Sequence, residues 1–106
     1  MVIPTEIILN GCIIRVKLVK HLYRDYTRYG EYSSTEMIIN VDADMSDQKQ
    51  ELIFCHELIE AIKDIYLLED LKHDTIQPLA VALYELIKKR KFAFIGDVEE
   101  VEAIDV

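Results

Sequence analysis

The first 45 residues of the chain contain three short runs rich in apolar, β-branched residues. Such runs occur at residues 6–9, 13–19 and 36–41. In the second run, IIRVKLV, the alternation places Ile14, Val16 and Leu18 on one face and two basic residues on the other, as in a strand with one side in water. The sequence therefore predicts three strands, with Gly30 in an aromatic-rich loop or hairpin arm between the last two.

Helix-forming residues dominate from about residue 46. Ser46 or Asp44 can cap a first helix that continues to about residue 68. After a short polar connection, Asp74 or Thr75 can cap a second helix that continues to about residue 91, with Pro78 in its opening turns. The order of elements predicts an α+β domain, in which a small antiparallel sheet of about three strands is followed by two packed helices.

The length of 106 residues allows one domain with one modest core. We assign residues 1–95 to this domain and residues 96–106, which are rich in acidic side chains, to a C-terminal tail that docks as a strand or stays mobile. The two cysteines lie far apart and form no C-x-x-C pair, and no apolar run is long enough to span a membrane. We expect a cytoplasmic protein.

Acidic residues outnumber basic ones by 20 to 12, which gives a formal net charge of −8. This balance argues against nucleic acid and anionic membrane surfaces as partners. A basic substrate, a cation or solubility alone fits it better. The sequence leaves the oligomeric state open.

The first helix carries an apolar stripe that predicts its contact with the core. The stripe consists of Leu52, Cys55, Ile59, Ile62 and Tyr66. Beside it lies a polar stripe made of Lys49, His56, Glu57, Glu60, Lys63 and Asp64. The plain interpretation is that this second stripe is the wet face of an amphipathic helix.

The same polar stripe also contains a possible metal motif, His-Glu-x-x-Glu. His56 and Glu60 are four residues apart, so their side chains project from one face and can converge on one ion. Glu57 directly follows the histidine, where a zinc protease helix carries the base that acts on water. Catalytic zinc needs a third protein ligand, and His73 at the start of the second helix is the candidate, on an extension of the stripe Ile76, Leu79, Ala80 and Leu83 that points inward. A histidine in such a place is more often satisfied by local hydrogen bonds, so both interpretations stay open at this point.

The run IFCHELIEAI followed by HDTIQPLAVALYELI resembles the small zincin-like proteins of tailed bacteriophages and prophages, which are minimal relatives of the gluzincin metallopeptidases. The resemblance covers roughly residues 28–88. Gluzincins take two histidines from the first helix and a glutamate from the second. This chain has His56 and Glu60 on the first helix and His73 on the second, so ligand types are exchanged while the total is kept.

The resemblance implies a zinc-dependent peptidase with a peptide or protein substrate. His56, Glu60 and His73 would hold zinc, and Glu57 would take a proton from the metal-bound water during amide hydrolysis. His21 and the tyrosines are available as oxyanion donors, although packing is the more common role of such residues. Two other hypotheses remain: a non-catalytic interaction module, metal-binding or metal-free, that uses an edge strand near residues 36–41, and an acidic mimic of DNA that blocks a basic partner.

Overall fold

The computed structural model describes residues 2–88 and residue 102. In this part of the chain the elements are β1 (Glu6–Leu9), β2 (Cys12–Val19), α1 (Leu22–Tyr26), β3 (Gly30–Ser33), β4 (Ile38–Asp42), α2 (Asp47–Ile65) and α3 (His73–Lys88). The predicted α+β class, with a sheet followed by two packed helices, is confirmed. The predicted continuation of the last helix to residue 91, and the acidic tail apart from residue 102, lie outside the described residues.

The sheet has four strands in the order β1-β2-β4-β3 and is mixed, not wholly antiparallel as the sequence predicted. β1 pairs with β2 and β3 pairs with β4 in antiparallel fashion, whereas β2 and β4 are parallel. Residues 20–37 are long enough to carry the chain back across the sheet, which a parallel pair requires. They contain α1, which the sequence did not predict, and β3, which is the hairpin arm given as one of two alternatives for this stretch. With five and four residues, these elements are too short to show a clear period.

The arrangement corrects the position of the sheet edge. The segment predicted as an edge strand, residues 36–41, largely coincides with β4, which lies between β2 and β3. The edges of the sheet are β1 and β3. Of these two edge strands, β3 is the one that packs against α2. Any partner that adds a strand next to this helix must therefore pair with β3.

The core forms where β2 and β4 face α2. Ile14 and Val16 of β2 and Ile39 and Val41 of β4 are buried there, in agreement with the predicted alternation. Leu18 is the exception: it is 50% exposed. It lines an open surface cavity at the start of α2, where the helix no longer covers the strand.

α2 starts as predicted, since the Ser46 hydroxyl caps it by accepting a hydrogen bond from the backbone N–H of Lys49 at 3.4 Å. It contacts the sheet and α3 at the same time, so its buried surface is broader than one stripe. Cys55 and Ile59 are buried as predicted. Tyr66, in contrast, is exposed because it comes just after the last helical turn.

α3 starts at His73, before both of the residues predicted as its cap, Asp74 and Thr75. The helix continues through Pro78. Ile76 and Ala80 are fully buried against the rest of the core, whereas the predicted core residue Leu79 is exposed. None of the helices in residues 2–88 is both long and apolar enough to cross a membrane.

Candidate metal centre

Two of the predicted ligands lie one helical turn apart on α2. The Nε2 atom of His56 and the Oε1 atom of Glu60 are 3.9 Å from each other. Both side chains are largely covered, at 17% and 26% exposure. The helix therefore presents an imidazole and a carboxylate side by side, as the four-residue spacing predicted.

α3 brings the third predicted ligand to the same place. Nδ1 of His73 lies 3.2 Å from Oε1 of Glu60, and its ring centroid lies 5.4 Å from that of His56. The predicted inward orientation of His73 is wrong, however, because its side chain is 76% exposed. His73 is the first residue of α3, where the helix end no longer shields the side chain from solvent.

One nitrogen or oxygen atom of each of these three residues lies within 4.8 Å of the other two. We call this group the triad. In tetrahedral zinc sites with bonds near 2.1 Å, neighbouring ligand atoms are about 3.4 Å apart. The separation of 3.2 Å between His73 and Glu60 is close to this value, whereas the separation of 3.9 Å between His56 and Glu60 is longer. The His73 to Glu60 contact is also a hydrogen bond in which an imidazole N–H donates to a carboxylate. A metal ion takes the place of that proton, so the donor set fits a divalent ion.

Gln77 fixes the orientation of one triad member, and sequence analysis missed it. Its Oε1 atom lies 2.7 Å from Nδ1 of His56. An amide oxygen only accepts, so Nδ1 of His56 donates a proton to it, and Nε2 is the ring nitrogen that faces Glu60 and remains for a metal ion. A signal was available: Gln77 follows His73 by four residues, which places both on one face of α3.

Glu57, the predicted base, is a residue of α2 whose side chain faces β3, and it is only 8% exposed. A Cβ atom added to Gly30 of β3 would lie 2.4 Å from Cγ2 of Ile53 and 3.2 Å from Cγ of Glu57, so the glycine lets the strand approach the helix closely. Burial raises the pKa of Glu57 to about 7, and the charges of Glu60 and Glu31 add to the increase, while His73 opposes it. The glutamate thus lies within electrostatic reach of two triad residues.

A second carboxylate near Glu57 is held in its charged form. Glu31 of β3 accepts a hydrogen bond from the side-chain amide of Asn40 at 3.1 Å and another from the guanidinium of Arg28. The hydrogen bond from Asn40 lowers the pKa of Glu31 most, and Arg28 contributes to the decrease. The negative charge at Glu31 therefore persists beside Glu57, which favours the protonated form of the latter.

Among the tyrosines, Tyr32 of β3 is the one that lines a cavity together with a triad residue. Its hydroxyl donates to Oδ2 of Asp64 at 2.7 Å, and it lines a cavity together with Glu60. Burial, reinforced by Asp64, raises the pKa of Tyr32 to about 12, so the hydroxyl remains a donor. The other predicted oxyanion donors have different contacts: His21 pairs with Asp44, Tyr84 donates to Glu51, and Tyr23 stacks on Tyr29.

Together these features define an α+β domain in which two packed helices bring two imidazoles and a carboxylate close enough to hold a metal ion. Comparisons of the chain with protein-family models, with curated proteins and with solved structures find no match. The resemblance to zincin-like phage proteins therefore stays a prediction.

Proposed function

We propose that this protein is a zinc-dependent peptidase whose metal ligands are His56, Glu60 and His73. The observation that carries the proposal is the convergence of these three side chains within 4.8 Å, with the buried Glu57 one residue after the first of them. Two imidazoles and a carboxylate suit zinc better than calcium or magnesium, which prefer oxygen ligands. Three protein ligands leave a fourth position open, as in catalytic sites.

When bound, zinc supplies Lewis acidity, which makes water acidic near neutral pH and polarises a carbonyl group. The residues of the chain divide the remaining work. Glu57 accepts the proton of the attacking water and delivers it to the amine that leaves when the amide bond breaks. Gln77 holds Nδ1 of His56, so that Nε2 would be the atom that binds the ion.

Metal content and hydrolysis test the proposal separately. Protein purified without chelators should contain about one equivalent of zinc, and His73→Ala should lose it. Glu57→Gln should keep the metal and lose cleavage of a mixed peptide library. If wild-type protein takes up no zinc from an excess, the metal centre is refuted; if Glu57→Gln cleaves as fast as wild type, the assigned base is wrong.

A metal-binding interaction module without catalysis is the second candidate, and the free edge of the sheet favours it. β3 is an edge strand that pairs with β4 alone in the part of the chain described, so it offers a backbone edge to an extended partner. This edge replaces the one predicted near residues 36–41. For such a module we expect the same zinc binding as for the peptidase. We expect no cleavage of any peptide by either the wild-type protein or Glu57→Gln.

A further inference from the structure

A cavity of about 360 Å³ opens directly beside the triad. Its wall is formed chiefly by Tyr32 of β3, by Glu60, Lys63 and Asp64 of α2, and by Leu67 and Glu69 in the connection that follows. Glu60 belongs to both the cavity and the triad. A group bound in the cavity therefore lies next to any peptide bond positioned at the metal centre. The volume of the cavity is at the small end of the range for ligand pockets.

The chemistry of the wall selects the kind of group that fits. Beyond the metal ligand Glu60, the carboxylates of Asp64 and Glu69 outnumber the single ammonium group of Lys63, so this part of the cavity is negatively charged. Leu67 adds apolar surface, since its side chain is 78% exposed. We propose that this cavity binds the lysine or arginine side chain of a peptide whose backbone lies at the metal centre. The inference rests on the peptidase proposed above, and it names the class of substrate.

The order of groups along α2 matches an extended basic side chain. Asp64 follows Glu60 by four residues, which places it about 6 Å further along the helix axis and away from the positive charge of a bound ion. The four-carbon stem of lysine spans a distance of that order. The stem then passes Leu67, and the cation meets Asp64 and Glu69 at the far end.

The contact between Tyr32 and Asp64 prepares the carboxylate for this role. The Tyr32 hydroxyl donates to Oδ2 of Asp64, which orients the carboxylate without cancelling its charge. Lys63 is the one residue of the cavity wall that opposes a cation. Its removal should therefore strengthen the binding of a basic side chain, whereas removal of an acidic wall residue should weaken it.

Equilibrium binding of blocked pentapeptides, acetyl-Ala-Ala-X-Ala-Ala-amide, tests this inference on the full chain, as wild type without zinc and as Glu57→Gln with zinc, which should not cleave them. X is lysine, arginine, norleucine or glutamate, and norleucine keeps the stem of lysine while it lacks the ammonium group. The lysine and arginine peptides should bind at least threefold more tightly than the norleucine peptide, the effect expected for exposed charge pairs. Equal binding of the lysine and norleucine peptides, tighter binding of the glutamate peptide, or no binding of any peptide in either form overturns the assignment.

Charge variants locate the effect. Asp64→Asn, which keeps an acceptor for Tyr32, and Glu69→Gln should each reduce the preference for lysine over norleucine by about 1.5- to 2-fold, and Lys63→Gln should increase it. Glu85→Gln removes a charge from an exposed position on α3 and should leave the preference unchanged. A preference that falls as much in Glu85→Gln as in Glu69→Gln reflects net charge and refutes the cavity.

The two proposals fail in different ways. A preference for lysine that persists in protein without zinc uptake or hydrolysis supports the cavity and refutes the peptidase. Hydrolysis of the library with no enrichment of lysine or arginine next to the cleaved bond, together with equal binding of the lysine and norleucine peptides, supports the peptidase and refutes the cavity.

Discussion

The burial of Glu57 predicts a stability that depends on pH in a specific way. The pKa of this carboxyl group is raised from 4.5 to about 7 in the folded protein, chiefly by burial. A difference of about 2.5 pH units corresponds to about 3 kcal/mol of unfolding free energy, at 1.36 kcal/mol per unit. Because the side chain is only 8% exposed, solvent screens little of this effect.

The direction in which the unfolding free energy changes with pH follows from the protons bound by the folded and the unfolded chain. Below about pH 4.5 the carboxyl group is protonated in both the folded and the unfolded chain, so folding loses nothing. Between pH 4.5 and about 7 the folded protein keeps a proton that the unfolded chain has released, so stability falls as the pH rises. Above pH 7 the full cost of about 3 kcal/mol remains, because a charged carboxylate stays buried.

Glu57→Gln isolates this contribution, since glutamine has nearly the same shape and carries no charge. In protein kept free of metal by a chelator, the variant should match wild type near pH 4 and exceed it by about 3 kcal/mol near pH 8, as measured by urea unfolding. Glu36→Gln removes a charge from an exposed position and should stay within about 0.5 kcal/mol of wild type throughout. A gain for Glu57→Gln that is the same at pH 4 and pH 8 would refute the argument.

Three further outcomes test the site and its support. Gln77→Ala should weaken zinc affinity by about 10- to 100-fold, measured by competition with a chelating dye, because His56 loses the acceptor that orients it; unchanged affinity would count against the role of Gln77. Gly30→Ala should lower the unfolding free energy by about 1 to 3 kcal/mol, since the added methyl group overlaps Ile53; an unchanged urea midpoint would contradict the close approach. Zinc at 100 times its dissociation constant should stabilise wild type by about 2.7 kcal/mol and leave His73→Ala unaffected; equal stabilisation of both would point to binding elsewhere.

The elements that the sequence predicted correctly are those with a long, clear period. β2 combines an alternating pattern with β-branched residues, and α2 combines a helical pattern with a serine at its cap, so local preferences agree with the final structure. β3 was predicted only as one of two alternatives, a loop or a hairpin arm, because it has four residues and starts at a glycine. The parallel pairing of β2 and β4 was also missed, because pairing between distant segments depends on tertiary packing that no local pattern records.

The candidate site likewise combines features that local spacing predicts with features that depend on tertiary packing. The spacing of His56 and Glu60 fixes their proximity, because both lie on one rigid helix. His73 could be placed near them only on the assumption that the second helix returns beside the first. The exposure of His73 and the contact of Gln77 with His56 depend on where α3 begins, and helix ends are difficult to predict to one residue.

The position of His73 on a different helix has a consequence for the dynamics of the protein. α3 is anchored to the core by Ile76 and Ala80, whereas His73 at its start is mostly exposed. An ion held by Glu60 and His73 links the two helices across the connection of seven residues, 66–72, so it opposes local opening of the first turn of α3. Amide hydrogen exchange in that turn should slow on addition of zinc more than exchange in β1 and β2 does. Equal slowing in all elements would mean that zinc stabilises the whole fold without tying α3 to α2, and an unchanged rate in the first turn would exclude His73 as a ligand.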